Sequence, residues 1–253
     1  MEEVFTKMCR LMGYVSHEKT NFDALVGKDF KEFISLSSVH CDGWGIATID
    51  HDAHAATLSR APETAATSEN FSKTLAQTTT DGGLLHLRWA TAGLPINENN
   101  THPFTYKDYS FIHNGGIFPA TGLDHLIDPK FFEFIAGTTD SEKYFYLLLT
   151  EIEKHGMVKG ISSTIGLIKE HANFSSINAM IMNEDTFVVV SEFQPEKKPD
   201  WAPDDYYEIK YRADSEGVLV ASSGWNQPGW ITLENHHSLV VDRSNFQTQV
   251  ITH

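Results

Sequence analysis

Met8-Cys9-Arg10-Leu11-Met12-Gly13-Tyr14 couples a methionine to a cysteine and runs at once into an apolar, strand-like segment. If the mature chain begins by losing Met8, Cys9 carries both a thiol and a free α-amine. The amine titrates at about 7.7–8.0 and the thiol at about 8.5, so near neutral pH one residue holds a base and a nucleophile. A lone Met-Cys pair equally describes a small buried hydrophobe, because free cysteines are among the most buried residues. The rest of the chain has to decide between the two.

Working outward, residues 10–16 read as a strand. Phe22, Leu25, Val26, Phe30, Phe33 and Ile34 recur at helical spacing and predict a helix to about Leu36. His40-Cys41-Asp42-Gly43-Trp44-Gly45-Ile46 is a glycine-marked turn feeding a strand to Ile49, and the polar tip 50–54 returns it through 56–59. A helix is expected over 64–79, then Asp81-Gly82-Gly83 as punctuation before a strand over 84–91. A strand over 109–114 is expected to stop at Gly115-Gly116. Thr139-Asp140-Ser141-Glu142 is a capping box opening a helix that Gly156 ends, with more helix over 157–171. Strands follow at 177–182, 186–193, 206–212, 218–222, 231–233 and 238–241, and Pro195–Pro203 forms an exposed loop among them. Strands, then helices, then strands fit two antiparallel sheets packed face to face with helices outside, an α+β layered fold without an internal domain boundary.

The 253 residues can bury an ample core, and 41% hydrophobic with 21% charged residues describes an ordinary globular protein. A net charge of −15 argues against nucleic acid and anionic membrane as partners, and leaves a small zwitterionic substrate open. Two cysteines, Cys9 and Cys41, make no disulfide framework and suit a reducing, cytoplasmic setting. No apolar run approaches the roughly 18 residues of a membrane span, and Met1–Lys7 lacks the features of a signal peptide. His51 and His54 sit on a hairpin tip with Asp50 and Asp52 but without zinc-like spacing, as does the pair His236-His237, so neither a metal nor a cofactor is expected.

Three strand or helix ends carry residues that secondary structure does not require. Arg88, with Trp89 and Thr91 behind it, offers a planar fork for a carboxylate. The Asn114 amide and the Gly115 N–H are two neutral donors suited to an oxyanion. Asp140 offers a partner for an ammonium. Each has an ordinary reading alone: an ion-paired arginine, a tight hairpin turn at Asn-Gly, and a first-turn acid favoured by the helix dipole.

Taken in order, Met8-Cys9-Arg10-Leu11-Met12-Gly13-Tyr14, Asp42-Gly43-Trp44-Gly45-Ile46, His86-Leu87-Arg88-Trp89-Ala90-Thr91, Thr101-His102-Pro103-Phe104, His113-Asn114-Gly115 and Thr139-Asp140-Ser141-Glu142 resemble the motifs of class II glutamine amidotransferases. The similarity is strong from Cys9 to about Glu142 and weaker to Ala221-Ser222-Ser223. That resemblance implies an N-terminal-nucleophile hydrolase with a four-layer αββα sandwich. It implies that Cys9 attacks the γ-carbonyl of glutamine or a γ-glutamyl compound, with its own amine as base, and that a γ-glutamyl thioester is then hydrolysed to glutamate. Asn114 and Gly115 would hold the oxyanion, Arg88 the α-carboxylate and Asp140 the α-amine. Trp89 and Thr91 would line the pocket, with Gly43 and Gly45 in the turn near it. His86, His102 and His113 would orient loops by hydrogen bonds.

Two departures bear on the donor's identity rather than on the reaction. Ala92 stands where the sugar-phosphate synthase branch has a second histidine, and Ser222-Ser223-Gly224-Trp225 replaces the usual Ser-Glu-Pro. A third concerns Met1–Met8 ahead of the nucleophile, since an internal Cys9 has an amide nitrogen that cannot act as base. The preferred reading makes 1–8 a misassigned start, with Met8 removed after initiation, and 9–253 one amidotransferase domain. A cleaved propeptide and an inactive relative are the other two. The expected function is hydrolysis of a γ-glutamyl amide by a free-standing enzyme acting on a peptide or conjugate. Alternatives are a glutaminase subunit passing ammonia to a separate synthase and a non-catalytic γ-glutamyl-ligand-binding relative. A homo-oligomer is compatible with each.

Overall fold

The computed structural model of the protein describes residues 8–91 and 93–253. The expectations for Met1–Lys7 and for Ala92 fall outside the described residues.

Alternate side chains of a strand point to opposite faces, so a strand that is apolar on both faces needs cover on both sides. Strand β1 (Arg10–Thr20) is such a strand. Leu11 and Val15 enter one core, and Met12 and Tyr14 enter another. After it come α1 (Phe22–Val26), α2 (Phe30–Ser35), the hairpin β2 (Gly43–Thr48) and β3 (Thr57–Ala61), α3 (Glu69–Gln77) and β4 (Thr80–Arg88). Strands β5 (Phe104–Tyr106) and β6 (Tyr109–Phe118) open a second sheet, and α4 (Asp140–His155) and α5 (Met157–His171) pack on it. Then β7 (Asn173–Met182) and β8 (Thr186–Ser191) extend the second sheet, β9 (Ile209–Ala213), β10 (Gly217–Ser222) and β11 (Ile231–Leu233) return to the first, and β12 (His237–Asp242) and β13 (Thr248–Thr252) close the second.

The first sheet has seven strands in the order β11-β9-β10-β1-β4-β2-β3, and the second has six in the order β13-β12-β8-β7-β6-β5. Neighbouring strands pair antiparallel. Between the sheets lies one core, with Leu11, Leu84, Ile112, Met180, Phe187 and Leu239. A second core joins the first sheet to α1–α3 through Tyr14, Phe22, Phe33, Trp44, Phe71 and Leu85. A third joins the other sheet to α4 and α5 through Phe111, Phe145, Leu148, Ile165, Ile177 and Ile181. Helices, sheet, sheet, helices: the four-layer αββα sandwich expected from the sequence is the observed fold.

Local boundaries differ where glycine was read too simply. The helix expected over 22–36 is two short helices, because Gly27 at φ 72° breaks the first turn. The strand expected to begin at Leu84 starts at Thr80, and Gly82 and Gly83 lie inside it, where side chains would collide with Arg243 and Tyr14. Strand β6 does not stop at Gly115-Gly116 but continues to Phe118, with a register shift against β7 between Gly115 and Ile117. Strands β5 and β13, both short and at the two edges of the second sheet, add to the expected set. The loop over 195–203 is only partly exposed, since Ala202 is buried. Among the described residues no helix is long and apolar enough to cross a membrane.

Candidate active site

Strand register makes the first contact. Arg10 of β1 pairs with Leu87 of β4, so the residue before Arg10 and the residues after Leu87 leave the sheet side by side. There the Trp89 N–H donates to the Cys9 sulfur at 3.4 Å, and the thiol points back at the Trp89 carbonyl at 3.7 Å. Asp42 braces this end of β4: its N–H donates to the Arg88 carbonyl at 3.0 Å, and its Oδ2 accepts from Ala90 N–H at 2.8 Å. Gly43 and Gly45 lie in β2, paired with Arg88 and His86.

Arg88 is buried. Its Nη2 donates to the Pro95 carbonyl at 3.2 Å, and its Nη1 is buried without a partner. A buried guanidinium nitrogen with nothing to donate to is costly, and a carboxylate would satisfy it. Thr91 is half-buried just beyond, and the contact seen for it is through its backbone, which accepts from Leu94 N–H at 3.1 Å.

The second sheet and the helix packed on it carry the other candidate residues. Asn114 and Gly115 are consecutive in β6, where the bulge against β7 begins. Gly115 has φ 153°, and a Cβ there would stand 1.8 Å from the Ser176 carbonyl oxygen, so no other residue fits this crossing. Asn114 is buried with Oδ1 unpartnered, and its carbonyl accepts from the Ser176 hydroxyl at 2.9 Å. Asp140, the first residue of α4, accepts the Ile117 N–H at 2.7 Å and so ties the helix start to the bulge. His113 Nδ1 meets Ser141 Oγ at 2.9 Å and adds a second tie.

The Cys9 sulfur feels Arg88 and Arg10 from the first sheet and Asp140 from the start of α4. Burial pushes the Cys9 thiol up to about 11, against the pull of the Trp89 N–H, Arg88 and Arg10, while Asp140 adds to the rise. With its nitrogen in a peptide bond, this thiol stays protonated near neutral pH and is a weak nucleophile.

Several participants escaped the sequence reading. Arg10 is buried directly behind Cys9, donates to the Cys9 carbonyl at 3.3 Å and lies over the Tyr206 ring at 5.5 Å. Its signal was a cation inside an otherwise apolar strand. His40 is buried edge-on to Trp89 at 5.4 Å, and burial, reinforced by Arg10, drives its pKa down to about 3. Asn100 joins two loops of the site, donating to Pro95 O at 3.2 Å and Thr138 Oγ1 at 3.1 Å and accepting from Thr138 N–H at 2.8 Å. The capping box is half as expected. Thr139 accepts from Glu142 N–H at 3.2 Å, but the Glu142 carboxylate reaches past it to the N–H groups of Ala136 and Gly137, at 3.0 and 2.7 Å.

The histidines also divide. His86 and His113 are hydrogen-bonded in the core, whereas both ring nitrogens of His102 lack partners and its ring stacks on His86 at 4.2 Å. The expectation that His102 orients a loop by hydrogen bonds is therefore corrected: it does so by stacking. His51 and His54 both reach Glu184, at 2.8 Å to its carbonyl and 3.1 Å to its carboxylate, and fasten the β2–β3 tip to the β7–β8 turn. Cys41 is exposed, and its thiol donates to Asp42 Oδ1 at 3.9 Å.

Known proteins are similar in both sequence and shape. Residues 8–193 match the family described as glutamine amidotransferases class-II. The probable glutamine amidotransferase DUG3 of Saccharomyces cerevisiae is 36% identical over 124 residues, covering 46% of this chain and 34% of its own. A glutamine–fructose-6-phosphate aminotransferase of Mesorhizobium japonicum is 29% identical over 153 residues, covering 58% of this chain and 23% of its own. The chain thus spans only about a third and a quarter of the length of these two curated relatives. Among solved structures, a glutamine aminotransferase class-II domain protein of Silicibacter pomeroyi superposes with a TM-score of 0.68 at 20% identity, over 96% of this chain and 99% of that one. The glutamine phosphoribosylpyrophosphate amidotransferase of B. subtilis gives 0.63 at 17% identity, over 96% of this chain and 49% of that one. At these identities the superpositions speak for the fold, and the family match extends over most of the chain, residues 8–193: the chain belongs to the class II glutamine amidotransferases, a family of enzymes.

Proposed function

We propose that the protein hydrolyses the γ-glutamyl amide bond of glutamine or of a γ-glutamyl peptide or conjugate, with Cys9 as an N-terminal nucleophile. The observation that carries this reading is the buried, unpartnered Nη1 of Arg88 beside a sulfur that also feels Asp140. A zwitterionic glutamyl head needs one cation and one anion, and a γ-carbonyl under attack needs a nucleophile between them. Arg88 takes the α-carboxylate and Asp140 the α-amine. Cys9 Sγ attacks the γ-carbon, and the Asn114 amide and Gly115 N–H hold the developing oxyanion. The α-amine of Cys9 takes the thiol proton and returns it to the leaving nitrogen, after which water cleaves the thioester. Trp89 and Thr91 line the glutamyl pocket.

The amine exists only when Met8 is gone, so residues 1–8 are read as absent from the active form. With Met8 attached, the protein binds the glutamyl head without cleaving it. The first arrangement is a free-standing amidohydrolase. A separate synthase partner is the second arrangement, favoured by the much longer aminotransferase relatives.

The test is glutamate release from glutamine and from γ-glutamyl peptides by protein whose first residue is Cys9. Release that disappears in Cys9→Ala supports the reading. Absence of release from every γ-glutamyl compound by correctly processed protein overturns it.

A further inference from the structure

We propose that the pocket filled by Met8 is the leaving-group subsite, and that it selects γ-glutamyl amides of α-amino acids with a long apolar side chain over glutamine. This rests on the reading of Cys9 as nucleophile with its own amine as base.

The proton path locates the leaving group. An amine that protonates the departing nitrogen must approach it to within about 2.6–3.2 Å. That amine is the Cys9 nitrogen, to which the Met8 carbonyl carbon is bonded. What leaves therefore abuts or fills the space that Met8 now fills.

That space is shaped for an amino acid. The Met8 side chain is wholly buried against Phe193, Ala202, Tyr206 and Tyr207. The Met8 backbone is held too. Its hydrogen bond with His40 raises that pKa, so the imidazole donates to the Met8 carbonyl; its hydrogen bond with Tyr206 lowers that pKa, so the Met8 N–H donates to the hydroxyl. Met8 thus shows that the space beside the Cys9 nitrogen holds one amino-acid residue, its side chain in the apolar pocket and its carbonyl oxygen within reach of the His40 imidazole.

Arg10 is the buried cation beside this space: it donates to the Cys9 carbonyl at 3.3 Å, and its Nε is buried without a partner. Burial and then the Arg10 charge lower the His40 pKa, and the neutral imidazole has its one N–H on the Met8 carbonyl. A carboxylate here satisfies the idle Arg10 donor and takes the imidazole N–H that Met8 now holds. Ammonia, the leaving group of glutamine, engages neither this cradle nor the apolar pocket.

Above the pocket the 195–203 segment supplies an outer wall. Trp201 is 53% exposed and sits 6.1 Å from Trp89 and 5.5 Å from Tyr206, ring centre to ring centre. This segment lies beyond the residues that match the family.

In the step so defined, the C–S bond forms at the γ-carbon and the C–N bond breaks. The amino acid leaves with the proton first taken from the thiol, and water then yields glutamate and the free thiol. The experiment compares kcat/KM for γ-glutamylmethionine, γ-glutamylglycine and glutamine, using protein whose first residue is Cys9 by intact mass. The expected result is a preference of tenfold or more for γ-glutamylmethionine over both others, cut at least tenfold by Ala202→Phe, which fills the pocket. Equal values for the methionine and glycine compounds in the unaltered protein, with glutamine still cleaved, overturn this inference and leave the nucleophile reading standing. Cleavage of none of the three overturns both.

Discussion

The amide N–H of Trp89 donates to the sulfur of Cys9 across 3.4 Å, from the residue that follows Arg88 at the end of β4. One strand end thus aims the nucleophile and also carries the guanidinium beside it. The distance between sulfur and cation is set by β1–β4 register rather than by flexible side chains, which is how a rigid scaffold holds reacting atoms in place.

Thiol reactivity follows from burial. In protein that retains Met8, the Cys9 thiol near 11 alkylates with iodoacetamide at pH 7.5 slower by roughly two orders of magnitude than an ordinary thiol of pKa 8.5. Its rate climbs about tenfold per pH unit toward 11. Peptide-resolved mass spectrometry over a pH series reads this, and a plateau below pH 9 contradicts it.

Arg88→Ala removes a charge-assisted contact worth about 1.5–3 kcal/mol, so KM for a γ-glutamyl substrate rises roughly 10- to 150-fold with kcat much less affected. Arg88→Lys recovers part of the loss, because a point charge replaces a fork. Steady-state kinetics decide the matter: an unchanged KM in Arg88→Ala makes the arginine structural.

Asn114→Ala is expected to lower kcat by about 10²- to 10³-fold while the melting temperature moves little. The side chain already leaves Oδ1 unpartnered, so truncation breaks no internal bond through that atom. Gly115→Ala behaves oppositely. A Cβ at 1.8 Å from Ser176 O forces β6 and β7 apart, and soluble, folded protein should be scarce. Circular dichroism alongside kinetics separates the two.

Acid stability should be governed by the buried histidines. Burial depresses His86 to about 3, and His102 well below the ordinary value of 6.5. A depressed folded-state pKa contributes nothing to a pH slope above 6.5 and destabilises as pH falls from 6.5 toward the folded value. The loss is about 1.4 kcal/mol per pH unit for such a group, or roughly 2 kcal/mol for His86 at pH 5, and His102 adds a loss of the same sign. Urea unfolding at pH 7.5 and pH 5 measures it. In His102→Phe, which keeps the stacked ring and has no orphaned nitrogens, the gap between the two pH values should shrink.

The candidate residues are legible because Cys9 precedes β1, Arg88 ends β4 and Asp140 starts α4, while Asn114 lies within β6 where its pairing with β7 shifts. Arg88, Asn114 and Asp140 stand out against Leu84–Leu87, Phe111–Ile112 and the apolar face of α4. The residues missed act across long sequence distances. His40 and Tyr206 meet only at Met8, and Asn100 makes sense only when Thr138 is beside it. No local period encodes such pairings. Glycine misled in both directions: Gly82 and Gly83 signal close packing within β4, whereas Gly27 breaks a helix whose apolar spacing runs on.

The central claim is that Cys9, once it is the first residue, becomes acylated by the glutamyl group. Protein beginning at Cys9, mixed with γ-glutamylmethionine or glutamine and quenched in acid, should show by mass spectrometry a single added glutamyl residue on the Cys9 peptide. That adduct should be absent from Cys9→Ala and labile to hydroxylamine. Turnover without a Cys9 adduct under any quench time, or an adduct on another residue, would contradict the account.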